Sequence, residues 1–220
     1  MNGQDVTFDV EGKTTGGYLA LPAQSDAPGV IVLHPWWGLN PFIKRFCDRL
    51  ASEGFVAFAP DLNEGKVATT IDEAKEIMSS LDGQRKYDVA NAAVDFLRSR
   101  PEVRQQPFSL IGFSMGAAWS LILASEQPEA IKKMVLFYGI GETDFGKIKA
   151  EVIGHFSDMD EWEPMEGIQW MEGEMRKVGL EPDLHFYPQK SHWFFEDDRP
   201  EFDPQAAELA WTRTLDFLRR

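Results

Sequence analysis

The chain has 220 residues, a formal net charge of -14 and a sequence pI near 4.7. A hydrophobic fraction of 43% beside 26% charged residues excludes disordered, collagenous and coiled-coil classes and suffices for a sizeable core. The acidic excess speaks against nucleic acid and anionic lipid as partners, since both are bound through clustered Lys and Arg.

The opening segments, 6–10 and 17–21, predict two short strands paired antiparallel at a sheet edge. Gly29–Leu33 is a continuous apolar run without alternation, as a strand buried on both faces requires. After His34-Pro35-Trp36-Trp37-Gly38, the residues Phe42, Ile43, Phe46, Cys47 and Leu50 recur at helical spacing, and Gly54 supplies a stop. Residues 55–60 predict the next buried strand. Residues 63–84 have the weakest pattern of the chain and are the candidate for a small mobile flap. Ala90, Ala93, Val94 and Leu97 then mark a helix, 108–112 a strand, 117–125 a helix rich in small residues, and 134–138 another strand. Residues 151–156 predict a strand, 164–178 a helix and Asp183–Tyr187 the last strand, with Trp211, Leu215 and Leu218 on a C-terminal helix. Strands alternating with helices in this way predict an α/β fold: a doubly wound, mostly parallel sheet with helices on both faces. No repeat or linker interrupts it, so residues 1–220 are expected to form one domain without a large lid.

The single Cys47 leaves no internal disulfide and fits a reducing compartment; its apolar neighbours predict a packed thiol. The N-terminus has no basic segment leading into an apolar one, and no apolar run reaches bilayer length. A cytoplasmic location without membrane contact is therefore expected. The sequence is silent on oligomeric state.

Chemistry enters at Gly112-Phe113-Ser114-Met115-Gly116, which follows a predicted buried strand and precedes a helix. A sharp strand-to-helix turn tolerates only small residues two places either side of the serine, and it holds the hydroxyl at a helix N-terminus that favours developing negative charge. A serine hydroxyl needs a base to take its proton. Of the four histidines, His155 and His185 fall in strand patterns and His34 precedes the serine, whereas His192 lies in a loop past the last strand. That order, serine then acid then histidine, suits this fold. The acid is sought after the strand at 151–156, where Asp158 and Asp160 both stand; Asp160 is preferred because its longer loop reaches round to the histidine, and Asp158 remains the alternative. Two amides are needed for a tetrahedral oxyanion: that of Met115, and that of Trp36, since Pro35 has no N–H. Trp37, Trp193 and Phe194 are pocket candidates. This chemistry calls for no metal and no cofactor, and the expected partner is a small ester or lactone.

The segments Val32 through Asn40, Ala59-Pro60-Asp61-Leu62, Gly112 through Gly116, Gly154 through Asp160, and Tyr187-Pro188 with His192-Trp193-Phe194 together resemble the dienelactone hydrolase family of α/β hydrolases. The resemblance spans nearly the whole chain. It implies a lidless hydrolase whose nucleophile, acid and base fall on Ser114, Asp160 and His192. It also implies departures: dienelactone-cleaving members carry cysteine where this chain has Ser114, glutamate where it has Pro35, and a carboxylate-binding arginine where it has Glu196. Acidic residues follow on both expected rims of the site, Asp158 to Glu166 and Glu196 to Asp203. The expectation is a serine hydrolase for small, neutral esters or lactones. Dienelactone hydrolase (carboxymethylenebutenolidase) activity, acyl transfer to an acceptor other than water and a catalytically silent scaffold are the alternatives.

Overall fold

In the computed structural model, which describes residues 3–104 and 107–220, eight strands form one sheet in the order β1-β2-β4-β3-β5-β6-β7-β8. In chain order these are β1 (Gln4–Val10), β2 (Lys13–Ala20), β3 (Gly29–Leu33), β4 (Val56–Pro60), β5 (Phe108–Phe113), β6 (Ile131–Phe137), β7 (Glu151–Ser157) and β8 (Asp183–Tyr187). β2 pairs antiparallel with both β1 and β4, and the pairs from β4 through β8 are parallel. The expected antiparallel edge pair is therefore present, as is the mostly parallel sheet.

The helices are α1 (Pro41–Ser52), α2 (Ile71–Ser80), α3 (Gly83–Arg98), α4 (Met115–Glu126), α5 (Met165–Lys177) and α6 (Pro204–Arg219). They divide between the two sheet faces. Val89, Val94 and Leu97 of α3, Leu121 and Leu123 of α4, and Ile168 and Met171 of α5 share one core with Ile31 and Leu33. Phe46 and Leu50 of α1, together with Trp211 and Leu218 of α6, share the other with Val30 and Val32. Alternate residues of one strand thus feed opposite cores, which is why β3 is apolar without interruption. Cys47 is fully buried in the second core, and burial pushes its thiol well up.

Chain order and sheet order diverge at β3, which has β4 on one side and β5 on the other. At such a switch point the loops leaving neighbouring strands run to opposite faces and open a crevice beyond the carboxyl ends. The crevice here lies between the loop after β3 and Ser114 after β5.

Two local expectations are corrected. The segment 63–84 holds helix α2, whose start is fixed by a capping box: the Thr70 hydroxyl accepts from the Glu73 amide at 3.3 Å, and the Glu73 carboxylate accepts from the Thr70 amide at 3.1 Å. Only Ala74 of α2 is buried, so the helix shows almost no apolar periodicity and its cap is the stronger signal. The strand predicted at 134–138 is Ile131–Phe137. Its first turn of sequence contains Lys132 and Lys133, which masks the strand pattern; Lys133 nevertheless lies inside and donates to the Phe217 carbonyl at 2.7 Å. Tyr138 ends the strand at φ +36°, a left-handed conformation incompatible with its continuation.

Candidate active site

Ser114 sits between β5 and α4 with φ 49° and ψ -114°, a strained backbone for a residue with a side chain. Close packing imposes it. A Cβ on Gly112 would lie 2.4 Å from the Gly116 carbonyl oxygen, and one on Gly116 only 2.0 Å from that of Leu33. The turn thus closes onto β3, so both flanking glycines are sterically required. Gly139 was not foreseen and does the same from the β6 side, where a Cβ would meet the Ser114 carbonyl oxygen at 2.3 Å. Gly116→Ala is expected to destabilise the fold by about 1–3 kcal/mol, the usual cost of overpacking, read as a lower denaturation midpoint with unchanged slope. An unchanged midpoint would show that the turn has slack.

His192 follows β8 and is 3% exposed, so its ring geometry is fixed by protein contacts rather than by solvent. Its Nε2 lies 2.8 Å from Ser114 Oγ, and its Nδ1 lies 2.7 Å from Asp160 Oδ2. Asp160 Oδ1 accepts from the amides of Trp162 and Glu163 at 2.8 and 2.9 Å. The carboxylate is therefore pinned at both oxygens, which places the Nδ1 proton towards Oδ2 and leaves the Nε2 lone pair for the serine hydroxyl. Asp158 is exposed and accepts from the Gln189 amide at 2.6 Å, so it braces the loop that carries His192. The Tyr138 ring packs 5.0 Å from the imidazole.

The other histidines have structural partners. His34 is buried, accepts from the Leu62 amide through Nε2 at 2.9 Å and has Nδ1 2.7 Å from the Pro35 carbonyl. His155 is buried between the Tyr187 hydroxyl and Thr214 Oγ1, at 2.9 and 3.0 Å. Burial pushes both below the ordinary histidine pKa, so each is neutral near pH 7. His185 stands on β8 with Nε2 3.4 Å from Asp183.

The loop after β3 is held from two sides. Asn63 donates to the Trp36 carbonyl at 3.0 Å, and the Trp37 carbonyl accepts from Ala68 at 2.9 Å. Indole packing adds to this: Trp36 lies 5.0 Å from Trp162 and stacks on Trp193 at 6.3 Å. Among the described residues no hydrogen bond leaves the Trp36 amide. The Met115 amide opens α4, where an N–H has no partner within the helix. Both amides thus lack a backbone partner among the described residues.

Beside Ser114 lies a cavity of about 370 Å³, walled by Trp36, Met78 of α2, Met115, Ala118, Trp119 and Ile122 of α4, Ile140 and Glu163. The two residues predicted as oxyanion amide donors, Trp36 and Met115, have side chains on this wall, but none of the predicted pocket residues does. Trp37, Trp193 and Phe194 are 1%, 6% and 0% exposed and belong to the second core. Glu196 is likewise corrected. It is buried, its carboxyl accepts from the Tyr138 hydroxyl at 3.0 Å, and burial with Asp198 nearby pushes its pKa up to about 8. It is therefore largely neutral near pH 7 and does not charge the mouth. The turn after Trp193, closed by Glu196 N–H to the Trp193 carbonyl at 3.0 Å, is what turns it inward. Asp203 caps α6 and Asp197 pairs with Arg45, so the second acidic rim is spent on structure.

Met78, Ala118, Trp119, Ile122, Ile140 and Glu163 were missed as wall residues. For α4 a signal existed: 115, 118, 119 and 122 form one helical stripe that starts beside the nucleophile. For Met78 and Glu163 none did: Met78 lies on α2, a surface helix with almost no apolar periodicity, and the loop that carries Glu163 is placed by tertiary packing.

The model of the dienelactone hydrolase family matches residues 15–220. Protein usf of Aquifex pyrophilus is 35% identical, with 99% of this chain and 98% of that protein aligned. An Aquifex aeolicus protein named "Putative carboxymethylenebutenolidase" is 30% identical over the same shares of the two chains. Among solved structures, a dienelactone hydrolase-like promiscuous phosphotriesterase from metagenomic libraries superposes with a TM-score of 0.86 at 22% identity, over 99% of this chain and 97% of that one. At that identity the superposition speaks for the fold alone. With a matched segment that runs from β2 through α6 and includes the whole crevice, the chain belongs to the dienelactone hydrolase family and has the α/β-hydrolase fold.

Proposed function

We propose that this chain is a carboxylic ester hydrolase that opens small, neutral esters or lactones through an acyl-enzyme on Ser114. The observation that carries the reading is the unbroken chain of contacts from Ser114 Oγ to His192 Nε2 at 2.8 Å and from His192 Nδ1 to Asp160 Oδ2 at 2.7 Å. Ser114 Oγ attacks the ester carbonyl carbon while its proton passes to His192 Nε2. The imidazolium that forms is stabilised by Asp160, whose two other hydrogen bonds keep it from turning away. The carbonyl oxygen gains the negative charge and is met by the amides of Met115 and Trp36. His192 returns its proton to the departing alkoxide as the tetrahedral carbon collapses to the acyl-serine. Water, deprotonated by His192, then releases the acid and restores Ser114.

The substrate class follows from the cavity. Its volume of about 370 Å³ suits a small acyl group, and among the described residues no Arg, Lys or His stands on its wall to hold a carboxylate. The carboxymethylenebutenolidase name of the Aquifex aeolicus relative fits the same bond type, a lactone ester. The test is a panel of p-nitrophenyl esters and lactones varied in acyl length and charge. Short uncharged members are expected to turn over faster than anionic ones; no turnover across the panel would overturn the reading.

A further inference from the structure

Glu163 is the carboxyl on the cavity wall, and the side chains around it are apolar: Trp36, Met115, Trp119, Ile122 and Ile140. Its backbone is fixed by the carboxylate that orients His192, since Asp160 Oδ1 accepts the Glu163 amide at 2.9 Å. Among the described residues no cation pairs with it. A carboxylate placed among indole, thioether and aliphatic groups without a counter-charge loses hydration, which a hydrogen bond from the Ile140 backbone offsets only in part. That arrangement is costly for stability and suits a group whose partner arrives with the substrate.

We propose that Glu163 is a specificity-determining residue, which receives an ammonium- or hydroxyl-bearing end of the substrate ester and turns carboxylates away. The proposal rests on Ser114 being the nucleophile, because it places Glu163 beside the acyl group bound there. An ammonium end neutralises Glu163 and a hydroxyl end donates to it, whereas a carboxylate meets a like charge in a poorly hydrated space.

Burial, with Asp160 of like charge behind it, pushes the Glu163 carboxyl up to about 7. The preference therefore grows as pH rises through that value and the group ionises. The titratable groups facing it are Asp160 on its own loop and His192 beyond Asp160; α2, α4 and the loops bearing Trp36 and Ile140 present uncharged side chains to the cavity. His192 acts on every ester alike, so it cancels from a ratio of two substrates.

The experiment compares kcat/KM for three matched p-nitrophenyl esters: γ-trimethylammonio-butyrate, its neutral tert-butyl isostere and the glutarate monoester. At a pH about one unit above the Glu163 value, the wild type is expected to favour the cationic ester over the isostere by about tenfold, and the isostere over the anionic ester by a similar factor. Both ratios are expected to shrink about one unit below that value, which tests the proposal without any substitution. Glu163→Gln is expected to collapse both ratios towards one, and Glu163→Lys to invert them. Ratios near one in the wild type, ratios unchanged in Glu163→Gln, or a preference for the glutarate monoester would overturn the assignment while leaving Ser114 in place. No turnover of any of the three would overturn the nucleophile reading and this one together.

Discussion

Ser114→Ala is expected to lower kcat for a neutral p-nitrophenyl ester about 10⁶-fold while the protein keeps its fold. The size of the loss follows from the arrangement. His192 is aligned on one donor for its catalytic nitrogen, the Ser114 hydroxyl at 2.8 Å, and Asp160 orients His192 alone. Without the hydroxyl both lose their task, so removing Ser114 costs nearly as much as removing all three. The residue left behind retains the two amides and the cavity, which supply roughly 10³-fold catalysis over water in comparable sites. Stability is expected to hold or rise slightly, because alanine removes a hydroxyl that is only half-buried and eases a side chain at φ 49°. Steady-state rates with far-ultraviolet circular dichroism separate the two effects; an alanine variant with undiminished turnover would remove Ser114 from the chemistry.

Asp160→Asn is expected to cost about 10⁴-fold in kcat, by a route that the hydrogen bonds make explicit. Oδ1 is held by the amides of Trp162 and Glu163, both donors, so the asparagine carbonyl oxygen must take that place. Its NH₂ group then faces His192 Nδ1, which must accept rather than donate. The imidazole proton moves to Nε2 and points at Ser114 Oγ, where a base is needed. Asp158→Asn is expected to cost far less, since that side chain is exposed and accepts a loop amide. Parallel kcat measurements on the two variants decide between them, and the reverse ranking would make Asp158 the acid.

The strands were legible where burial on both faces left them apolar throughout, as in Gly29–Leu33, which is read with its observed bounds. They were less so where a long side chain is buried by its stem and satisfied at its tip, as with Lys133 at the start of β6. Helix α2 was hidden because it lies on the surface with only Ala74 buried, so that capping replaces periodicity as its signature. The approach of Ser114, Asp160 and His192 was foreseen because fixed connections deliver each from the end of a strand. Glu196 was misjudged because sequence distance from His192 says nothing about direction: the turn sends it inward, under Tyr138. Glu163 was read only as one of several acidic residues on the rim of the site, yet Asp160 pulls its amide inward and leaves its carboxyl on the cavity wall.

The account's central claim is that Ser114 is a nucleophile made reactive by His192. Covalent labelling tests it most directly: the native protein is treated with a fluorophosphonate, and the adduct is located by mass spectrometry of its peptides. One adduct per chain on Ser114 is predicted, with loss of esterase activity in step and with labelling all but abolished in His192→Ala. An adduct at another residue, or full inhibition with Ser114 unmodified, would contradict it.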